Sequence, residues 1–112
     1  MSDKPKNTMK YDGCKPRTSL VPLIPLKQVE EVLEFGAKKY RANSWRDPKV
    51  EAVEWSRTYD SVLRHLHAWY SREDQDEESG LAHLAHACTQ LMFLMEHTTT
   101  GNGEDDRYEN NS

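Results

Sequence analysis

Cysteine is scarce in this chain of 112 residues: Cys14 and Cys88 are its two thiols, far apart and in no CxxC pair. That leaves no material for a disulfide framework, and the chain reads as a protein of a reducing compartment. Long apolar runs are missing too, so no stretch approaches the roughly 20 residues of a membrane helix. No charged-then-apolar segment with a cleavage site opens the chain, and a cytoplasmic rather than secreted protein is expected. A basic excess is also missing: 15 Lys and Arg face 19 Asp and Glu, a net charge of −4. This argues against a general nucleic-acid binder. The five glycines form no phosphate loop, which excludes Walker and dinucleotide folds. At this length one domain is expected, with a modest core.

The charge that is present is unevenly spread. Residues 1–17 form a basic arm with a net of +3. Residues 98–112, TTTGNGEDDRYENNS, carry four acids and one Arg and have little to bury, so disorder is expected there. Between them, periodicity predicts three helices. The first runs from about Pro25 to Tyr40, with Leu26, Val29, Val32, Leu33, Ala37 and Tyr40 on one face. Gly36 interrupts it and suggests close approach of a backbone or ligand. The second covers about Val53 to Ser71, with Tyr59, Val62, Leu63, Leu66, Trp69 and Tyr70 on its buried side. The link REDQDEESG is too short to cross a sheet, so the third helix, about Ser79 to His97, returns antiparallel. Asp76 or Ser79 is placed to cap it. Leu81, Leu84, Ala85, Cys88, Leu91, Met92 and Met95 form a broad stripe, widened by Phe93 and Leu94. Such a helix is buried on most sides, which three helices alone rarely achieve. The expected fold is all-α: a small antiparallel bundle completed by homo-oligomerisation.

Four groups of residues can carry chemistry. Glu30, Glu31 and Glu34 share a sector of the first helix, and carboxylates at this spacing can hold a hard divalent cation. The plain alternative is a solvated face built on the Lys27–Glu31 and Glu34–Lys38 pairs. On the second helix Arg57, Asp60, Arg64 and Ser71 line up, with His67 at the edge and His65 pointing elsewhere. An Arg there makes a phosphate clamp or simply an Asp60–Arg64 salt bridge. Glu73, Asp74, Asp76, Glu77 and Glu78 crowd the link, five acids in six positions that repel unless a cation sits nearby. His83, His86, Gln90 and His97 make a polar stripe on the third helix, suited to a metal or to hydrogen bonds across the bundle. Finally, Lys15 and Arg17 are spaced to neutralise phosphates, and Trp45 can stack on a base or serve as an apolar lid.

The strings DGCKPR, EFGAKKYRANSW, WSRTYDSVLRHLHAW and EDQDEESGLAHLAHA occur in an order that resembles a family of small phage proteins. These are the MazG-like dATP/dGTP diphosphohydrolases, and the pattern resembles their MazZ-type branch, from phages that replace adenine with 2-aminoadenine. The resemblance covers about residues 10–97. It implies an all-α nucleoside triphosphate pyrophosphohydrolase domain over 18–97, dependent on Mg²⁺ or Mn²⁺ and working as a dimer or tetramer. Its substrate would be a purine (deoxy)nucleoside triphosphate, dGTP or dATP, split into monophosphate and pyrophosphate. The wider superfamily carries an ExxE on one helix and an ExxD on a later one. ExxE is met by Glu31 and Glu34. ExxD occurs only as Glu73 and Asp76, in the link, and the third helix shows His83 and His86 where acids are expected.

The implied metal ligands are therefore Glu31 and Glu34 by motif, and Glu73, Asp76 and His83 by order and position. His65 joins them from its placement on the second helix. Glu34 and Glu73 are the implied catalytic carboxylates. Lys15, Arg17, Lys38, Asn43, Trp45 and Arg64 make up the substrate-binding set. Two other classes fit the same bundle: a nucleotide or metal sensor without turnover, and a small helical adaptor that binds a host protein through the third helix and acidic tail.

Overall fold

The computed structural model describes residues 15–47, 49 and 53–109. Most of the basic arm, Cys14 included, lies outside the described residues. Three helices follow one another: α1 (Leu23–Lys39), α2 (Trp55–Tyr70) and α3 (His83–Thr100). Single 3-10 turns stand at Thr18–Leu20 and Ser44–Arg46. Among the described residues there is no β-strand, only isolated bridges at Glu54–Glu104 and Gln75–Ala82. The all-α reading and the three-helix count both hold.

α1 starts two residues before Pro25, which sits in the first turn, where an amide has no intrahelical partner to lose. Lys38 and Lys39 occupy its last turn and complement the negative end of the helix. Gly36 meets no tight neighbour, since a methyl group there would touch nothing within 4 Å. α2 and α3 form an antiparallel hairpin. His65 near one end of α2 meets His83 at the start of α3, and Trp55 at the other end bonds to Asn102 beyond its finish. α1 packs on α3 rather than on α2.

The hairpin link is a built turn. Arg72 (φ 73°) and Gly80 (φ 73°) take left-handed conformations that reverse the chain. The Asp76 carboxylate accepts the Ser79 amide at 2.9 Å and its hydroxyl at 3.1 Å. Asp76 and Ser79 thus cap the turn rather than α3, whose N-cap is Ala82 with no side-chain bond.

The core is small: Val29, Val32, Trp55, Val62, Ala85 and Ala87. α3 departs from expectation in which face it buries. His83, His86 and Thr89 point inward with Ala85 and Ala87, while Leu84, Leu91, Met92 and Met95 are 45–67% exposed. Cys88 lies on the same outward face as a free thiol. The small side chains let α2 approach, and the imidazoles find partners in the hairpin link; the bulky apolar stripe is left outside.

The tail also departs from expectation. α3 continues through Thr100, and residues 101–109 are not structureless: they turn at Gly101 (φ 81°) and run back along the start of α2. The Trp55 amide donates to the Glu104 carbonyl at 2.9 Å and the Glu104 amide to the Val53 carbonyl at 3.0 Å. Paired backbone supplies what composition denied.

Candidate functional site

The inward face of α3 brings imidazoles against the hairpin link. His65 Nδ1 lies 2.8 Å from His83 Nδ1. The other His83 nitrogen bonds Glu73 Oε2 at 2.8 Å. His65 stacks on His86, ring centroids 4.7 Å apart and planes 7° from parallel. His86 Nε2 pairs with the Ser79 hydroxyl at 2.7 Å. Nitrogen atoms of His65 and His83 and an Asp76 oxygen all lie within 4.8 Å of one another.

The electrostatics favour neutral imidazoles and a charged carboxylate. Burial pushes His65 below its ordinary range, and nearby His86 and His83 add to the effect. Burial also lowers His86, against the opposing pull of Asp76. Burial pushes Asp76 up, but the two Ser79 bonds outweigh it and hold the carboxyl below its usual value. Neutral imidazole and ionised carboxylate are the states that ligate a metal. The donor set of two nitrogens and one oxygen fits a divalent transition ion better than Mg²⁺, which prefers oxygen alone. Glu73 grips the far nitrogen of His83, the contact that fixes tautomer and ring orientation in metal-binding histidines.

His65, Asp76 and His86 of this cluster line one end of a cavity of about 1090 Å³, whose wall does not include His83 or Glu73. Glu30 and Glu34 of α1 contribute to its wall, as do Lys39, Arg64 and Gln90. The other end is aromatic. Trp45 stacks on Phe93 with centroids 4.1 Å apart, and the Arg46 guanidinium lies 4.3 Å over the same indole. At those distances the two must occupy opposite faces. The Trp45 carbonyl accepts from His97 Nε2 at 2.9 Å. A cavity with charged groups at one end and aromatic rings at the other suits a ligand that is anionic at one end and flat at the other.

The family model of the dATP/dGTP diphosphohydrolase N-terminal domain matches residues 5–107. The chain belongs to the dATP/dGTP diphosphohydrolase N-terminal family. A protein of Salmonella phage PMBT28 named dATP/dGTP diphosphohydrolase is 36% identical over 86 residues, which is 77% of this chain. The chain spans 28% of the length of that relative. No solved structure matches.

Against the family-implied residues, the structure divides the set. His65, Asp76 and His83 converge. Glu73 reaches the same place through His83. Glu34 lines the cavity without joining that cluster, and its cavity-side neighbour is Glu30, one helical turn earlier, rather than Glu31. Arg64 and Asn43 are in the wall; Lys38 is not, and Lys39 takes its place, paired with Glu78. Asn43 sits at φ 62°, which its short amide tolerates, and opens the Ser44–Arg46 turn. Trp45 has both faces covered, so base stacking there requires Arg46 to move. Lys15 and Arg17 are exposed and outside the cavity wall. Lys39 and Arg46, not singled out from the sequence, each neighbour a residue that was, and Glu30 belonged to the acidic sector of α1 but not to the implied ligand set. Periodicity finds the stripe, but a helix turns 100° per residue, and only packing tells which side faces in.

Proposed function

We propose that this chain is a metal-dependent nucleoside triphosphate diphosphohydrolase acting on purine (deoxy)nucleotides, dGTP or dATP, in phage nucleotide metabolism within the host cytoplasm. The observation that carries the reading is a cavity lined at one end by His65 and Asp76, which converge with His83, and by aromatic rings at the other, in a chain of this family. The triphosphate would lie toward the cluster and the base toward Trp45 and Phe93. Mn²⁺ or Mg²⁺ held by His65, Asp76 and His83 would screen the phosphate charge. The chain's own groups do the rest. Glu73 orients His83. Arg64 and Lys39, both in the cavity wall, would hold phosphate oxygens, Arg by its planar fork and Lys as a point charge. Glu34 and Glu30, also in the cavity wall, would orient a water toward the α-phosphorus and take up its proton. The water oxygen bonds to that phosphorus, the bond to the α–β bridging oxygen breaks, and monophosphate and pyrophosphate leave. dGMP formed this way would supply synthesis of 2-aminoadenine nucleotides. The exposed apolar stripe of α3 supports a homo-oligomer that covers it.

The test is a product assay with each common dNTP and NTP, with Mg²⁺ or Mn²⁺, separating pyrophosphate from inorganic phosphate. Monophosphate plus pyrophosphate, strongest with a purine dNTP, is expected. Glu34→Gln is expected to abolish turnover with helix content unchanged. Triphosphate left intact under both metals overturns the reading.

A further inference from the structure

The tail beyond α3 makes more contacts with the rest of the chain than a loose end needs, and they converge on one place. The Asn102 carbonyl accepts the indole N–H of buried Trp55 at 2.9 Å. The Asn102 side-chain amide donates to the Arg46 carbonyl at 3.3 Å. Gly103 (φ 90°) passes so close to Val53 and Trp55 that a methyl group there would lie 2.8 Å from the Val53 carbonyl oxygen and 2.9 Å from the indole nitrogen. Asp106 accepts the Ser56 amide at 3.0 Å and its hydroxyl at 2.5 Å. It therefore caps α2 from fifty residues away, a task that Glu54, at the N-cap itself, leaves undone. The Arg107 guanidinium lies 5.2 Å over the Trp55 ring and is held by Asp105 at 2.7 Å.

Trp45, Arg46 and Val53 form the aromatic end of the cavity, and every one of them is held by α3 or by the tail beyond it. Phe93 and His97 hold Trp45, Asn102 holds Arg46, and Glu104 holds Val53. The metal-binding end is remote from this strap: His65 stands ten residues along α2 from Trp55, about 15 Å of helix.

We infer that residues 102–106 are positioning residues for the nucleoside end of the cavity, acting through Arg46, Val53 and the start of α2 without touching substrate. The inference rests on the proposed nucleotide reading. It predicts a strap whose loss weakens capture of the nucleotide and leaves the chemical step intact.

The test uses the full chain with Gly103→Ala, Asp106→Ala and Asp106→Asn, the last keeping an acceptor for the Ser56 amide. With dGTP and Mn²⁺, the first two should raise KM about tenfold, the size of a lost cap contact, with kcat held within about twofold. Asp106→Asn should restore most of the loss. Amide hydrogen exchange, read on the same proteins without substrate, should quicken at residues 44–47 and 53–57 and stay unchanged at 76–86. Lower melting temperature with KM unchanged, or a fall in kcat alone, overturns the inference. If the unsubstituted protein releases no pyrophosphate, the functional reading fails by itself. Exchange then decides the strap: no change at 44–47 in Asp106→Ala overturns it.

Discussion

His83 is buried to 4% exposure, with one ring nitrogen turned to His65 and the other to Glu73. A buried imidazole between an imidazole and a carboxylate has its orientation set from both sides. Removing the charge of Glu73 while keeping its shape should loosen that orientation. Glu73→Gln is expected to weaken Mn²⁺ binding by about tenfold, at the lower end of the range for such partners, with the helices intact. Titration followed by electron paramagnetic resonance checks this; unchanged affinity would detach Glu73 from the site. The residues of this cluster were legible in the sequence, in the acids that crowd the link and the histidine stripe of α3, although periodicity assigned the buried face of α3 to its apolar stripe. The choice of Glu30 over Glu31 was not: both belong to the acidic sector of α1, they differ by one helix step, and Glu30 is the one in the cavity wall, on a helix that buries Val29 and Val32.

At the scale of the helix, α3 shows why an apolar stripe is not an address. Leu84, Leu91 and Met95 recur at helical spacing and read as core, yet they face outward. The inward choice goes to the face that satisfies its polar groups: Ser79 and Glu73 receive His86 and His83, and Thr89 returns its hydroxyl to the Ala85 carbonyl at 2.8 Å. Burying those imidazoles unpaired would cost more than leaving leucines wet. An uncovered row of this length is what the proposed homo-oligomer would cover. Leu91→Lys places a charge in its middle and is expected to convert the proposed homo-oligomer to monomers. Light scattering coupled to size-exclusion chromatography reads the mass directly, and an unsubstituted chain that is already monomeric would remove the oligomer from the account.

For the molecule as a whole, the protonation of the cluster ties stability to pH. His65 and His86 both titrate below their ordinary value of 6.5 in the folded chain. Between their lowered values and 6.5 the unfolded chain binds more protons, so stability falls as pH drops through that window. The lowered carboxylates act further down: Asp105, bound by Arg107 to about 2, together with Asp76 and Asp106, gives up its contribution only in stronger acid. Melting temperature in metal-free buffer is therefore expected to fall as the pH is lowered from about 7 through 6.5 and below. His86→Gln should flatten that dependence, and a steeper slope in that variant would sink the assignment. The overall architecture was readable from three periodic segments and one short link. The path of residues 101–107 was not, because it is held by backbone pairing and by Gly103, features that composition does not record.

The three tryptophans happen to divide the molecule among them. Trp55 lies under the strap, Trp45 is sandwiched in the cavity wall, and Trp69 stands 42% exposed on α2. Each indole thus samples a different dielectric, and the protein carries its own optical gauge. Emission from Trp55 is expected to follow the seating of the tail and that from Trp45 the arrival of the proposed nucleotide, with Trp69 as the solvent-facing baseline against which the other two are read.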